Sequence, residues 1–252
     1  MRTLAVIPAR LGASRLPRKP LRLLAGLPLI VRVWQRVQAL AVADRYVIAT
    51  DSDEVAKAAR PYGAEVVLTS EDHPSGTDRV AEVARRREFR AFDAILNVQG
   101  DEPFVPGDAV RGAVRQVTSG AFLLGTAAAR ADEEILDEPS VVKVVAADDG
   151  RAMYFSRASI PYLRDRGDAP LRAARVWQHI GVYAYAREAL ARWVALPPHP
   201  LELIEKLEQL RPLAAGLAMG VALVEEPPHV GIDTDADLAR ANADWTDFEG
   251  RP

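Results

Sequence analysis

From residue 4 to residue 98 the chain alternates short, β-rich apolar runs with helical repeats, the pattern of βα units around a mainly parallel sheet. Residues 4–8 read as a fully buried first strand. Residues 28–40 read as a helix with Leu29, Val33, Val37 and Leu40 on one stripe. A second strand, 46–50, ends on Asp51, and Asp53 is placed to cap the short helix that follows. A third strand at 65–69 precedes a helix at 75–87. The strand at 94–98 then delivers Gln99, Gly100, Asp101 and Glu102 to its carboxyl edge. The second half changes character. Runs at 141–146 and 153–156 flank Asp148-Asp149-Gly150, a hairpin signal, and residues 179–185 alternate Ile180, Val182 and Ala184 against Gly181 and Tyr183. Helices follow at 188–196 and 201–210, the latter with Leu203, Leu207 and Leu210 as its stripe and Pro212 as its boundary. A strand at 221–224 and a helix at 235–243 close the pattern. The expectation is one α/β domain over 1–252, a mixed, mainly parallel sheet flanked by helices, with an antiparallel hairpin insertion at about 140–185.

Without cysteine the chain has no route to a disulfide, a thiolate metal site or a cysteine nucleophile. Arg32 and Arg36 interrupt the best apolar run, so no membrane span is expected. The first nine residues are too short and strand-like for a signal peptide, which makes the cytoplasm the expected location. A net charge of −3 gives no global basic field to recommend a nucleic-acid partner. No Gly-x-Ser-x-Gly elbow supports serine hydrolysis, and the four histidines have no zinc spacing.

The distribution of charge says more than its sum. Residues 1–43 carry eight cations and no acid, and five of the eight (Arg10, Arg15, Arg18, Lys19 and Arg22) fall in 10–22, just past the first strand. In open α/β sheets ligands bind outside the carboxyl ends of the strands. The loop lacks the glycines of a dinucleotide fingerprint, and Pro17-Arg18 before Lys19 breaks a P-loop. It reads either as a solvated basic face or as a polyphosphate site built from side chains.

Asp101 follows a buried strand, where a carboxylate can ligate Mg²⁺ beside phosphate oxygens. The competing role, a helix cap, is weakened by Pro103 and Pro106. In Gly231-Ile232-Asp233-Thr234-Asp235, Thr234 or Asp235 reads as the cap of the last helix, leaving Asp233 outside that duty. Arg157 follows a strand and suits either a bidentate carboxylate clamp or a surface ion pair. His179 opens a strand, a position more often structural than catalytic. Glu202, Glu205 and Glu208 fit a solvated helix face.

Taken together, the segments resemble the 3-deoxy-manno-octulosonate (Kdo) cytidylyltransferase family over nearly the whole chain, from about residue 4 to residue 241. The carriers begin with Ile7-Pro8-Ala9-Arg10, Ser14-Arg15-Leu16-Pro17 with Lys19-Pro20-Leu21, Ser75-Gly76-Thr77-Asp78-Arg79 and Asn97-Val98-Gln99-Gly100-Asp101-Glu102-Pro103. They continue with Tyr154-Phe155-Ser156-Arg157, His179-Ile180-Gly181-Val182-Tyr183, Glu208-Gln209-Leu210-Arg211 and Gly231-Ile232-Asp233-Thr234.

The resemblance implies a nucleotide-diphospho-sugar transferase fold, a homodimer whose interface includes the insertion hairpin, Mg²⁺ dependence, and transfer of CMP from CTP to the anomeric hydroxyl of Kdo for lipopolysaccharide assembly. By that resemblance Arg10 and Lys19 hold the triphosphate. Pro8, Ala9, Ser75, Gly76 and Gln99 line the nucleotide pocket, and Asp101 and Asp233 ligate Mg²⁺. Arg15, Arg157, His179, Tyr183, Glu208 and Gln209 surround the sugar acid. Lys19, Asp101 and Asp233 are the expected catalytic set. The chain departs from the family in carrying Arg18 where Gly is usual and Leu11 where Tyr is usual. The alternative is the same reaction on 8-amino-Kdo or another sugar acid.

Overall fold

The computed structural model describes residues 1–12, 16–225, 227 and 231–245. They fall into two units, residues 1–107 with 229–252, and residues 108–228.

The first unit is built on four parallel strands in the order β6-β1-β4-β5: β1 (Thr3–Ala9), β4 (Arg45–Thr50), β5 (Glu65–Leu68) and β6 (Ala94–Asn97). Leu4, Ala5, Val6 and Ile7 of β1 are fully buried, as are Val47, Ile48 and Ala49 of β4 and Ile95 and Leu96 of β6. Such near-continuous burial is what a parallel strand covered on both faces requires. A small antiparallel pair, β2 (Leu23–Leu24) with β3 (Leu27–Pro28), leads into α1 (Leu29–Ala39), which buries Leu29, Val33 and Val37. The helix α2 (Asp53–Ala59) is capped by Ser52, whose hydroxyl accepts the Val55 N–H; Asp53 lies one residue inside and lends its charge to the first turn. Helix α3 (Gly76–Arg85) is capped by Ser75. The chain steps from β1 to β4 and β5 on one side and places β6 on the other. The topological switch point therefore lies at the carboxyl ends of β1 and β6.

In the second unit, α4 (Gly107–Thr118) precedes β7 (Leu124–Arg130), and neither element is expected from the sequence. The hairpin β8 (Lys143–Ala146) and β9 (Ala152–Ser156) turns at Gly150, whose φ of +83° suits glycine. After α5 (Ala169–Ala173), β10 (Trp177–Ala186) runs antiparallel to both β7 and β8, and β11 (Met219–Val224) pairs parallel to β7. Helix α6 (Arg187–Ala195) packs Leu190 and Trp193 inward.

The single helix expected at 201–210 is two: α7 (Pro200–Glu205) and α8 (Leu210–Ala214), separated where Lys206 takes a left-handed conformation. Leu203 of the expected stripe is exposed while Leu207 and Leu210 are buried, and Pro212 sits inside α8 as its third residue. Glu202, expected on a solvated face, is buried against Arg211. The last helix, α9 (Asp235–Ala243), belongs to the first unit and has the expected bounds.

Candidate functional site

Two groups of side chains stand out, one in each unit. The first gathers at the switch point. Pro8 and Ala9 end β1, and Gly100 follows β6 so closely that a Cβ there would lie 2.6 Å from the Pro8 carbonyl oxygen. A Cβ on Gly76 would meet Gln99 Oε1 and Pro8 Cγ, each at 3.4 Å. Pro8, Gly76, Gln99 and Gly100 thus pack against one another at the carboxyl ends of β1 and β6. The Ser75 hydroxyl is engaged in capping: it accepts the Asp78 N–H and donates to the Asp78 carboxylate at 2.7 Å. Arg10 is exposed just beyond β1. Arg15 lies outside the described residues.

Lys19 begins a short 3₁₀ turn (Lys19–Leu21) whose cap, Arg18, has φ +58° and ψ +31°. Arg18 adopts the left-handed geometry that a glycine would take without strain, and its guanidinium pairs with Glu54. The Lys19 ammonium donates to Asp101 Oδ2 at 2.6 Å and to Asp233 Oδ1 at 2.7 Å. Residues 82 and 214 positions away in sequence therefore meet on one cation. Burial alone would lower the Lys19 pKa, but the Asp101 and Asp233 carboxylates outweigh it and hold the ammonium above its ordinary value.

Asp233 is presented by the start of α9. Thr234 caps that helix, and the Asp237 carboxylate accepts the Asp233 N–H, the Thr234 N–H and the Thr234 hydroxyl. Glu102 is pushed up to about 8, by burial first and by the neighbouring Asp101 charge next, with Lys19 opposing. Two ionised acids and one ammonium leave this cluster ready for a further cation. Among the described residues no group of three or more His, Asp or Glu forms a closed metal site. Mg²⁺ commonly uses one or two carboxylates and completes its shell with water and substrate phosphate, so Asp101 and Asp233 fit it.

The second group lies in the second unit. Arg157, just past β9, donates from Nε to the Glu205 carbonyl oxygen and from Nη1 to the Pro139 carbonyl oxygen, each at 2.8 Å. The Glu205 carboxylate accepts the Ser156 hydroxyl (2.6 Å) and the Arg157 amide (2.9 Å). Glu205 was expected on a solvated face and instead builds the Arg157 anchor. Two elements of pattern hinted at this: its place at the end of the helix that Pro200 starts, and the nearby Glu208-Gln209.

The register between β7 and β10 shifts between Ile180 and Tyr183. In a regular strand residues four apart are about 13 Å apart. With this bulge the His179 and Tyr183 rings lie 5.5 Å apart, and Phe155 meets His179 edge-on at 5.0 Å. The Thr126 hydroxyl lies 2.9 Å from His179 Nε2 and donates toward the carbonyls of Val182 (2.8 Å) and Ile180 (3.3 Å). Burial pushes the His179 pKa down to about 3, which keeps the ring neutral. Tyr183 is raised well above the usual phenol value, by burial first and then by Tyr185 and Glu208. Glu208 and the buried Gln209 occupy the turn between α7 and α8, bracketed by the bidentate Glu202–Arg211 pair (Nε to Oε2, 2.8 Å).

A cytidylyltransferase family model matches residues 4–221. The 3-deoxy-manno-octulosonate cytidylyltransferase of Gemmatimonas aurantiaca is 63% identical over 97% of this chain and 95% of its own. The chain belongs to the 3-deoxy-manno-octulosonate cytidylyltransferase family. A second member, from Chromohalobacter salexigens, is 48% identical over 97% of both chains. A solved structure described as CMP:2-keto-3-deoxy-manno-octonic acid synthetase complexed with CTP superimposes with a TM-score of 0.90. It is 35% identical, over 98% of this chain and all of the other. This cytidylyltransferase is thus a mixed α/β protein of that structural kind, and among its described residues no helix is long and apolar enough to cross a membrane.

Proposed function

We propose that the protein transfers CMP from CTP to the anomeric hydroxyl of Kdo, releasing pyrophosphate, and works in the cytoplasm at the activation step before lipopolysaccharide assembly. The observation that supports this most is the convergence of Lys19, Asp101 and Asp233 at the switch point of a family member.

The reaction needs an in-line attack on the α-phosphorus while pyrophosphate leaves, so the protein's task is orientation and charge neutralisation. In this reading Gly76, Gln99 and the backbone of Pro8 and Ala9 receive the nucleotide, and Gly100 lets the Pro8 carbonyl pack against the end of β6 behind them. Arg10 and Lys19 offset charge on the leaving pyrophosphate. Mg²⁺, held by Asp101 and Asp233, supplies charge neutralisation at the α-phosphate when bound. Arg157 receives the sugar carboxylate: its Nε and Nη1 bonds go to neutral carbonyl oxygens and do not use Nη2, so its charge is not spent on a carboxylate. Tyr183, Glu208, Gln209 and the neutral His179 offer hydrogen bonds to sugar hydroxyls; the resemblance assigns Arg15 to the same substrate.

A homodimer is supported by the exposed apolar side chains Met153, Tyr162 and Leu171 in the insertion segment. The test is pyrophosphate release with CTP and a panel of Kdo, 8-amino-Kdo and a sialic acid, with Mg²⁺ and with EDTA. Release with Kdo only when Mg²⁺ is present is expected. Preference for another acid, or metal-independent turnover, overturns the reading.

A further inference from the structure

Lys143 is fully buried on β8, in a run of valines where a charged side chain would be expected to reach solvent. Its ammonium donates three hydrogen bonds, to the carbonyl oxygens of Arg157 (2.6 Å), Val141 (2.8 Å) and Glu138 (3.0 Å). An ammonium has three N–H groups and no lone pair, so this triangle of acceptors matches its protonated form in full. Such an arrangement ties together chain segments that carry no regular secondary structure at those points. One is the 138–141 stretch; the other is the residue just past β9.

Those segments carry Arg157 itself and its Nη1 acceptor, while the Glu205 carbonyl holds Nε. Pro139, between two of the tethered carbonyls, accepts Arg157 Nη1, while the third tethered carbonyl is that of Arg157 itself. The residue before Lys143 adds a further link, since the Val142 carbonyl accepts the His179 N–H at 2.8 Å. The ammonium therefore sits behind Arg157 and beside His179 without offering itself to either side chain. Burial, and then the nearby Arg157 charge, lower its pKa, as expected for a cation held by carbonyl dipoles instead of a direct carboxylate bond.

We propose that Lys143 is a positioning residue for sugar-acid recognition: it fixes the 138–141 segment and the Arg157 backbone so that the Arg157 guanidinium is pre-aimed at the substrate carboxylate. This rests on the function proposed above. A positioning role predicts a selective loss. Removing the ammonium frees three carbonyls and lets Arg157 wander, which weakens one substrate and spares the other.

The variant Lys143→Met keeps the length and apolar stem and removes the donors. In full-length enzyme with Mg²⁺, KM for Kdo should rise at least tenfold, KM for CTP should stay within twofold and kcat within threefold. Hydrogen–deuterium exchange should speed up at least tenfold in peptides covering 137–142 and 154–160, with β7 and β11 unchanged. Lys143→Gln, which keeps two donors, should fall between wild type and Lys143→Met on both measures. Equal changes in the two KM values, unchanged exchange, or faster exchange with an unchanged KM for Kdo each overturns the proposal. So does failure of both variants to fold, since the role is then structural. If wild-type enzyme does not turn over Kdo at all, the function reading fails. The exchange experiment, which needs no substrate, then decides alone whether Lys143 orders Arg157.

Discussion

Lys19→Met tests the central cluster. The ammonium lies 2.6 and 2.7 Å from its two acceptors, and the lysine side chain is 13% exposed. At an effective dielectric of 20, two unit charges about 4 Å apart attract by about 4 kcal/mol. The partner carboxylates are 34% and 42% exposed, so solvent screens much of this, and burying the lysine has its own cost. A net loss of about 2 kcal/mol follows on replacement, part of it repulsion between two acids left facing each other. For a chain of this length that lowers Tm by about 4–8 °C. The loss should be seen in EDTA and should shrink in millimolar Mg²⁺, because a divalent ion can replace the missing cation between Asp101 and Asp233. Wild-type protein should respond less to Mg²⁺, since Lys19 already offsets one of the two negative charges. The assay is thermal unfolding of both proteins with EDTA and with Mg²⁺, in parallel with pyrophosphate release. Turnover of the variant should fall at least about a hundredfold, roughly 2.7 kcal/mol. An unchanged Tm in EDTA, or an equal Mg²⁺ response in both proteins, refutes the reasoning.

Asp101→Asn and Asp233→Asn should each cut pyrophosphate release by about a hundredfold or more while circular dichroism stays native; near-normal turnover of either removes it from the metal site. His179 gives a pH dependence. Its folded pKa of about 3 lies below an unfolded value of about 6.5, so the unfolded state takes up the proton first and stability falls as pH drops through that window. Allowing for the ring's partial exposure, about 1–2 kcal/mol should be lost between about pH 7 and pH 5. Denaturant titrations of wild type and His179→Gln should show a flatter profile for the variant, and parallel profiles would contradict the assignment. Glu202→Gln should cost about 3 kcal/mol in a denaturant midpoint, because it removes the negative charge from a bidentate pair whose side chains are about nine-tenths shielded from solvent. It should also raise KM for Kdo, since Glu208 and Gln209 ride on the turn that the pair brackets. Arg18→Gly should be neutral or stabilising by up to about 1 kcal/mol: relief of the positive φ outweighs an exposed ion pair with Glu54. A loss greater than about 1 kcal/mol would show that the loop depends on Arg18 itself.

The strands of the first unit were legible because parallel strands buried on both faces leave dense, short apolar runs. The second unit hid two elements. β7 reads Leu-Gly-Thr-Ala-Ala-Ala-Arg, with no β-branched residue except Thr126, and propensity alone does not mark it as a strand. Its small residues answer a packing demand: a Cβ on Gly125 would lie 2.3 Å from the Ala113 carbonyl oxygen of α4. The pairing of β7 with both β10 and β11 then supplies what local preference does not. Glu202 was misleading for a related reason, and Lys143, to which the sequence reading gave no role, is a second buried charge. Periodicity assigns a charged side chain to solvent, whereas each of these is buried with every polar demand met by partners distant in sequence or in irregular backbone.

The candidate site shows the same division in sharper form. Its side chains stand where the chain leaves regular geometry: Lys19 after a left-handed Arg18, Asp233 one residue before a helix cap, His179 and Tyr183 across a strand irregularity, Glu208 and Gln209 after the left-handed Lys206. A residue inside a regular helix or strand has its direction set by the repeat, so bringing side chains from distant segments together within either unit needs breaks in that repeat. Methods that weigh period and propensity are weakest at those breaks, and this is why the helix at 201–210 was drawn through the turn that carries Glu208. The chemistry of the residues is read differently, by which charges must meet. Cations clustered after the first strand read either as a solvated basic face or as a polyphosphate site, and the family resemblance joins them to Asp101 and Asp233. Lys19 bridging those two carboxylates is where the opposite charges meet.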